Sequence, residues 1–347
     1  MRRREPDDRR RDRKALVGLL VCTAAIAVVI SGTLVWAQSK IPEVRHTEPA
    51  FVGLENRPVR ATGPAGEAVN ILLLGTDRRS EVPTTGAAAE ADAWVAGEQR
   101  SDTMMLVHVA ADRRSAHVIS LPRDSWVPVP GHGRAKINAA YSLGGLPLAV
   151  ETVETLTRVR VDHVAVVDWD GFRALTDLVG GVRVQVPETV VDSVRGITWT
   201  AGEHLLDGEQ ALAYVGQRYG LPGGDLDRVQ RQQAVLRTLM QDGLHAEMRS
   251  DPDQVARFVS EVLEHVAVDE TWSLAGILSF SASLRNLRSA DIRYLTVPVA
   301  GLGREGAQSV VHLNGRLSDQ LWTAVRDDVA GPWLDAHPDL ETGDRID

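Results

Sequence analysis

The chain has 347 residues, a formal net charge of −9 at pH 7, 44% hydrophobic and 24% charged residues, and one cysteine. A single cysteine excludes an intramolecular disulfide, so the fold must rest on an ordinary hydrophobic core, which a chain of this length can supply. The first 14 residues contribute +4, which leaves −13 on the remainder, and so acidic a body argues against nucleic-acid binding.

Residues 1–14, MRRREPDDRRRDRK, carry eight basic and four acidic side chains and precede an uncharged apolar run from Ala15 to Trp36. Such a run is long enough to span a bilayer, and the basic flank places the N-terminus in the cytoplasm. The expectation is a retained transmembrane helix over residues 15–37, with everything after it extracellular and held at the plasma membrane as a single-pass protein. Cys22 lies mid-segment, where it reads as a small apolar group. Residues 38–67 hold Pro42, Pro49, Pro58 and Pro64 without clear periodicity and read as a stalk.

A buried strand is expected over Val69 to Leu74, ending at Gly75. Thr103–Val109 and Ala116–Leu121 follow as a hairpin with Asp112 and Arg113 in its turn. Between the first two strands, Glu81–Gln99 reads as a surface loop. Helical spacing covers Leu146–Val159, a strand His163–Asp168, and a short helix Phe172–Val179 stopped by Gly180 and Gly181. Val182, Val184 and Val186 alternate with polar residues as a half-buried strand. Asp207 with Gln210 resembles a capping box opening a helix toward Gln217. Later helices are expected over Pro252–Val266 and Trp272–Leu287, and a last strand near Ile292–Val297. This order implies a three-layer α/β/α sandwich with a central mixed sheet over residues 68–328, followed by a C-terminal tail, 329–347.

The chemistry concentrates at element ends. The segment QRYGLPGGDLDRVQRQQ, Gln217–Gln233, brings Arg218, Arg228 and Arg231 near the start of one helix, after the Gly223-Gly224 turn. Asp225, Arg228 and Gln232 share one face, with Leu226, Val229, Leu236, Leu239 and Met240 as the apolar side. A helix N-terminus with guanidinium forks suits phosphate, although a solvated helix of Asp–Arg pairs fits this segment as well. Asp77 follows the first strand and Asp102 opens the second. Two such carboxylates plus phosphate oxygens suit Mg²⁺, while either Asp could equally be a turn former. Arg100, Arg123, Asp124 and Lys136 also fall at strand ends, where α/β sheets place ligands.

The ordered motifs NILLLGTDRR, RSDTMMLVHV, SLPRD, KINAAYSLGG, GFRALTDLVGGV, LLDGEQALAYV and GGDLDRVQRQQ resemble the LytR-CpsA-Psr family of bacterial cell-wall ligases over about residues 69–242. The resemblance implies a phosphotransferase that takes a glycopolymer from a polyprenyl diphosphate carrier and joins it to peptidoglycan through a phosphodiester. It implies Mg²⁺ near Asp77 and Asp102, phosphate binding by Arg100, Arg123, Arg218 and Arg228, and support from Asp225 and Gln232. Asp102, Arg123, Asp124 and Arg228 are the candidate catalytic residues, with Asp124 or Asp102 as proton acceptor, and Lys136 and Arg231 as further substrate contacts. The prenyl tail would thread an apolar tunnel with walls drawn from residues such as Leu143, Val150, Val153, Val166, Phe172 and Leu236. The chain departs from the family where R-x-R is usual, having Gly216-Gln217-Arg218. Arg231 or Lys136 are the cations expected to compensate. A polyprenyl pyrophosphatase and a non-catalytic polyprenyl phosphate-binding protein are the alternatives.

Overall fold

The computed structural model describes residues 44–77, 84–85, 94, 100–217, 220–221, 225–243 and 252–342. The basic tail and the expected anchor lie outside them, and no helix among the described residues is long and apolar enough to cross a membrane.

Six strands form the central sheet: β1 (Val69–Asp77), β2 (Arg100–Val109), β3 (Ala116–Ser120), β4 (His163–Val167), β5 (Ala267–Val268) and β6 (Ile292–Thr296). Their spatial order is β5-β4-β1-β2-β3-β6. β1 runs antiparallel to β2 and parallel to β4, β3 runs antiparallel to β2 and parallel to β6, and β5 runs antiparallel to β4, so the sheet is mixed as expected.

The strand period of two assigns each face its own partners. Leu72, Leu74, Leu106, Ile119, Val164 and Val166 point to one side. There they pack with helices α1 (Ile137–Thr157), α7 (Gly315–Arg326) and α8 (Ala330–Asp335) through residues such as Val150, Val153 and Trp322. Toward the other side, Leu73, Met105, Val118 and Tyr294 meet helices α4 (Asp225–Gly243) and α6 (Leu274–Ser283). Ala165 and Val268 meet α5 (Pro252–Leu263) there. Helices α2 (Trp169–Leu178) and α3 (Gly208–Val215) complete that layer. With them packs a two-stranded ribbon, Val182–Val186 paired with Gly202–Leu206, around Trp199, Tyr214 and Val235.

Local signals set several boundaries as expected. Asp207 and Gln210 form the reciprocal capping box of α3. Gly180 and Gly181, at φ +82° and +92°, end α2, and the Gly181 N–H returns to the Thr176 carbonyl at 2.9 Å. The helix expected over Leu146–Val159 begins earlier, at Ile137, and is broken at Gly144 and Gly145. Gly145 has φ +62°, and a Cβ there would stand 3.1 Å from the Trp94 ring, so the break needs glycine on both counts.

Two boundaries are corrected. The stalk expected over 38–67 belongs to the folded body from Val44 onward: the Thr47 N–H bonds Val268 O at 2.8 Å, Ala50 is fully buried, and Arg57 bridges Glu154. The tail expected from 329 is likewise packed, with Leu334 1% exposed and the Thr342 N–H on Tyr294 O at 2.8 Å. Proline and polar content obscured the first, because these segments are held by backbone bonds and isolated apolar anchors without a repeating pattern.

Candidate active site

Between the sheet and the layer of α2, α3 and α4 lies a cavity of about 1040 Å³. Its walls come from Leu73 and Met105 of the sheet, Phe172 and Leu175 of α2, Leu212 and Ala213 of α3, and Leu236 and Leu239 of α4. Asp102, Arg228 and Gln232 make one polar stretch of the lining, which also includes Asp168, Arg173, Arg195, Asp207, Glu209 and Gln210.

The polarity changes along single elements. On α4, Arg228, Gln232, Leu236 and Leu239 are spaced by four, four and three residues, one stripe facing the cavity from charged to greasy. Sequence periodicity put Arg228 and the leucines on separate faces, whereas the structure places them in line. Val229 and Val235 take the fully packed side instead. On β1 and β2, Gly75, Asp102 and Thr103 give way to Leu73 and Met105 in the same direction.

A bulge explains how Asp102 joins this lining. Gly75 pairs with Thr103 and Thr76 with Ser101, so Asp102 is the extra residue between them. Without the bulge it would share the face of Met104, in the opposite core; the inserted residue re-aims the side chain. Arg123 Nη1 donates to Asp102 Oδ1. Arg123 Nε stands 3.8 Å from Asp124 Oδ2, and Lys136 Nζ lies 2.8 Å from Asp124 Oδ1. Lys136, Asp124, Arg123 and Asp102 thus form a chain of alternating charge ending at the cavity. Each side chain keeps between 14% and 23% exposure, so water screens but does not abolish the coupling.

Of the residues singled out from sequence, Asp102, Arg228 and Gln232 line the cavity and Arg123 touches Asp102. Asp124 and Lys136 stand behind Arg123. Asp77 and Arg100 face each other across β1 and β2, but their side chains, and that of Asp225, lie outside the description, as does Arg218. Arg231 is absent from the lining: its Nη1 donates to Gln217 Oε1 at 2.7 Å, and its guanidinium stacks 4.2 Å from the Tyr214 ring centre. Burial lowers its pKa, partly offset by Tyr214, Asp227 and Asp192. The expected tunnel residues divide as well. Phe172 and Leu236 line the cavity, Val150, Val153 and Val166 belong to the core on the opposite face, and Leu143 is 47% exposed.

Sequence reasoning missed the residue that fixes α4. Gln233, 1% exposed, donates from Nε2 to Ser120 Oγ at 2.7 Å and Leu295 O at 2.8 Å, and accepts from Thr342 Oγ1 at 2.6 Å. A glutamine beside Gln232 carries no signal that one faces the ligand space and the other the sheet edge. The helix phase relative to Arg228 is the only clue, and it needs the cavity's position to be used.

The LytR_cpsA_psr family model matches residues 40–327. The chain belongs to this family. Similar proteins include the "Cell wall biosynthesis protein LcpA" of Corynebacterium glutamicum, 30% identical over 323 residues, 84% of this chain and 61% of that protein's length. The "Polyisoprenyl-teichoic acid--peptidoglycan teichoic acid transferase TagU" of Enterococcus faecalis is 30% identical over 252 residues, 71% of this chain and 76% of the other. Among solved structures, a LytR-Csp2A-Psr enzyme from Actinomyces oris has a TM-score of 0.60 at 22% identity, covering 81% of this chain and 96% of that one. TagV of B. subtilis gives 0.60 at 24% identity, covering 76% and 97%. These likenesses carry the fold, an α/β arrangement of mixed sheet and helices.

Proposed function

We propose that this chain is a phosphotransferase that moves a glycopolymer from a polyprenyl diphosphate carrier onto peptidoglycan, leaving a phosphodiester. The observation that carries the reading is the stripe Arg228–Gln232–Leu236–Leu239, which grades one cavity from cationic to apolar, as a ligand with a charged head and a hydrocarbon tail requires. The teichoic acid transferase named among the similar proteins supports the reaction class. The apolar run Ala15–Trp36 would keep the domain at the extracellular face of the plasma membrane, where both the carrier and peptidoglycan are within reach.

The head would sit against Arg228, with Arg123 acting through Asp102. An acceptor sugar hydroxyl attacks the phosphorus that bears the polymer, and the P–O bond to the prenyl phosphate breaks. The new P–O bond joins polymer to peptidoglycan, and prenyl monophosphate leaves with the proton. Arg123 occupies the Asp102 carboxylate, so positioning and charge stabilisation carry the catalysis, as they do in phosphoryl transfer generally. Burial of Arg228 at 3% exposure strengthens its attraction to the head by removing competing water. Leu236, Leu239 and Phe172 exclude water from the tail.

Mg²⁺ is an ion held by one or two carboxylates plus substrate phosphates, and the Asp102 carboxylate on the cavity wall would offer one of them. Asp102 with Asp77, which ends β1 beside it, would hold the ion, and bound there it would neutralise phosphate charge.

Arg228→Ala and Asp102→Ala should each lower polymer transfer from a lipid-diphosphate donor to peptidoglycan by about 10- to 100-fold, as loss of a charge-assisted contact implies. Unchanged turnover in both would remove the basis of this assignment.

A further inference from the structure

Besides Arg228 and Arg173, the cavity wall carries an arginine from an element the sequence did not single out. Residues Val190–Asp192 and Ile197–Trp199 pair as a short ribbon, and Arg195 lies in the turn between them. Asp192 organises that turn. Its side chain is 1% exposed, its Oδ1 accepts from the N–H groups of Val194 at 3.1 Å and Arg195 at 3.2 Å, and its Oδ2 accepts from Arg195 Nη1 at 2.8 Å. Burial pushes this carboxyl up, but the Arg195 side chain and the two backbone donors outweigh it and hold the pKa below the usual value. One edge of the guanidinium is therefore fixed by a permanent anion.

Nη2 rests on the end of α3. It lies 3.4 Å from the Gly216 carbonyl oxygen, and a Cβ built at Gly216 would stand only 3.1 Å from it. Gly216 has φ −88°, which any residue adopts, and a Cβ there would also stand 2.9 Å from the Leu212 carbonyl oxygen, so the position is tight in space and unstrained in backbone. The side chain lines the same cavity as Arg228 and keeps 40% exposure. An arginine has five N–H donors in a planar fork, more than these two contacts use.

We infer that Arg195 is a phosphate-binding residue of this cavity, delivered from the ribbon turn into the room left by Gly216, and that it supplies the cation position 216 itself lacks. This rests on the reading of the cavity as the prenyl diphosphate site. Gly216 and Arg195 are then neighbours at one wall, where a side chain at 216 crowds the guanidinium.

Binding of farnesyl diphosphate and farnesol to the full chain in detergent, measured by calorimetry, tests it, with thermal unfolding followed in parallel. Arg195→Ala should weaken farnesyl diphosphate by about 10- to 100-fold, as loss of a hydrogen bond to a charged group implies, and leave farnesol unchanged. Arg195→Lys should restore part of the affinity through charge without the fork. Gly216→Arg should be neutral or harmful alone yet recover affinity in the Arg195→Ala background. A lowered unfolding temperature with unchanged diphosphate affinity for Arg195→Ala, while Arg228→Ala binds weakly, would overturn the inference and leave the cavity assignment intact. Unchanged affinity in both Arg195→Ala and Arg228→Ala would overturn the cavity assignment and this inference with it.

Discussion

If the cavity takes a prenyl tail, affinity must rise with tail length until the apolar walls are covered, and a bulky side chain on those walls must flatten the rise. Each buried methylene contributes about 0.8 kcal/mol, so one five-carbon isoprene unit gives about 4 kcal/mol at most. Ordering a flexible unit costs about 1 kcal/mol, which leaves about 3 kcal/mol, or roughly 100-fold per unit. Leu236 is the informative position, because it lies eight residues beyond Arg228 on the cavity stripe of α4 and touches the apolar cluster around Met105. Leu236→Trp should leave the two-isoprene end of the series, a short prenyl diphosphate whose tail stops before the leucines, near wild-type affinity. Diphosphates with three and four isoprene units should lose the roughly 100-fold gain per added unit. Competition titrations of this series against one labelled ligand, run below the detergent-free aggregation limit, measure the slope directly. A wild-type slope of zero would show that the 1040 Å³ space does not receive the tail, whatever binds at Arg228.

Two further outcomes concern stability. His117 has a pKa lowered to about 4 by burial, with the charges of His108 and Arg293 adding to it. The unfolded histidine takes a proton below pH 6.5 while the folded one resists until about pH 4, so this contribution is complete above 6.5 and declines on acidification. The loss is about 3 kcal/mol across that window, and His117→Phe should remove it, seen as a smaller fall in urea stability between pH 7 and pH 4.5. An unaltered fall would contradict the buried, neutral state. Glu154, 4% exposed, receives two Arg57 nitrogens and the Val161 N–H at 2.9 Å. Glu154→Ala should cost about 3 kcal/mol in equilibrium unfolding, and a loss under about 0.5 kcal/mol would mean that residues 44–67 are not integral to the fold.

Five of the six described strands of the central sheet, and the ribbon strand Val182–Val186, were legible because buried runs and period-two patterns report directly on burial, whereas the two-residue Ala267–Val268 is too short to show either. The caps at Asp207 and Gly180-Gly181 were legible because each needs a particular residue type for a local reason. The ribbon from Val190 to Trp199 was not, since strands of three residues are too short to show a period. Within the site, types were easier to foresee than directions. Arg228 and Arg231 are three residues apart and of one residue type, yet one faces the cavity and the other stacks on Tyr214. Only the positions of α3 and the sheet, fixed by contacts far away in sequence, separate them. The same holds for Val150 and Val153 against Leu236, all apolar and helical, on opposite faces of the sheet.

That division of faces explains how one sheet can be both rigid and hollow. On the side of α1, Leu72, Leu106, Ile119 and Val164 are each fully buried in a continuous core, which supplies the stability. On the other side the strands present Leu73, Gly75 and Met105 to a space that α2, α3 and α4 span without filling. A space of this size has a cost, because the apolar wall atoms forgo packing partners. The cost is tolerable because α4 does not depend on the cavity for its position: Gln233 ties it to Ser120 and Leu295, and Arg237 Nη2 ties it to Thr342 O at 2.6 Å. Those polar fasteners lie on the side of α4 away from Gln232 and Leu236, so the stripe facing the cavity remains available to a ligand. On the proposed function, a ligand that fills the space would recover those contacts, and the binding energy of its tail would hold its charged head against Arg228.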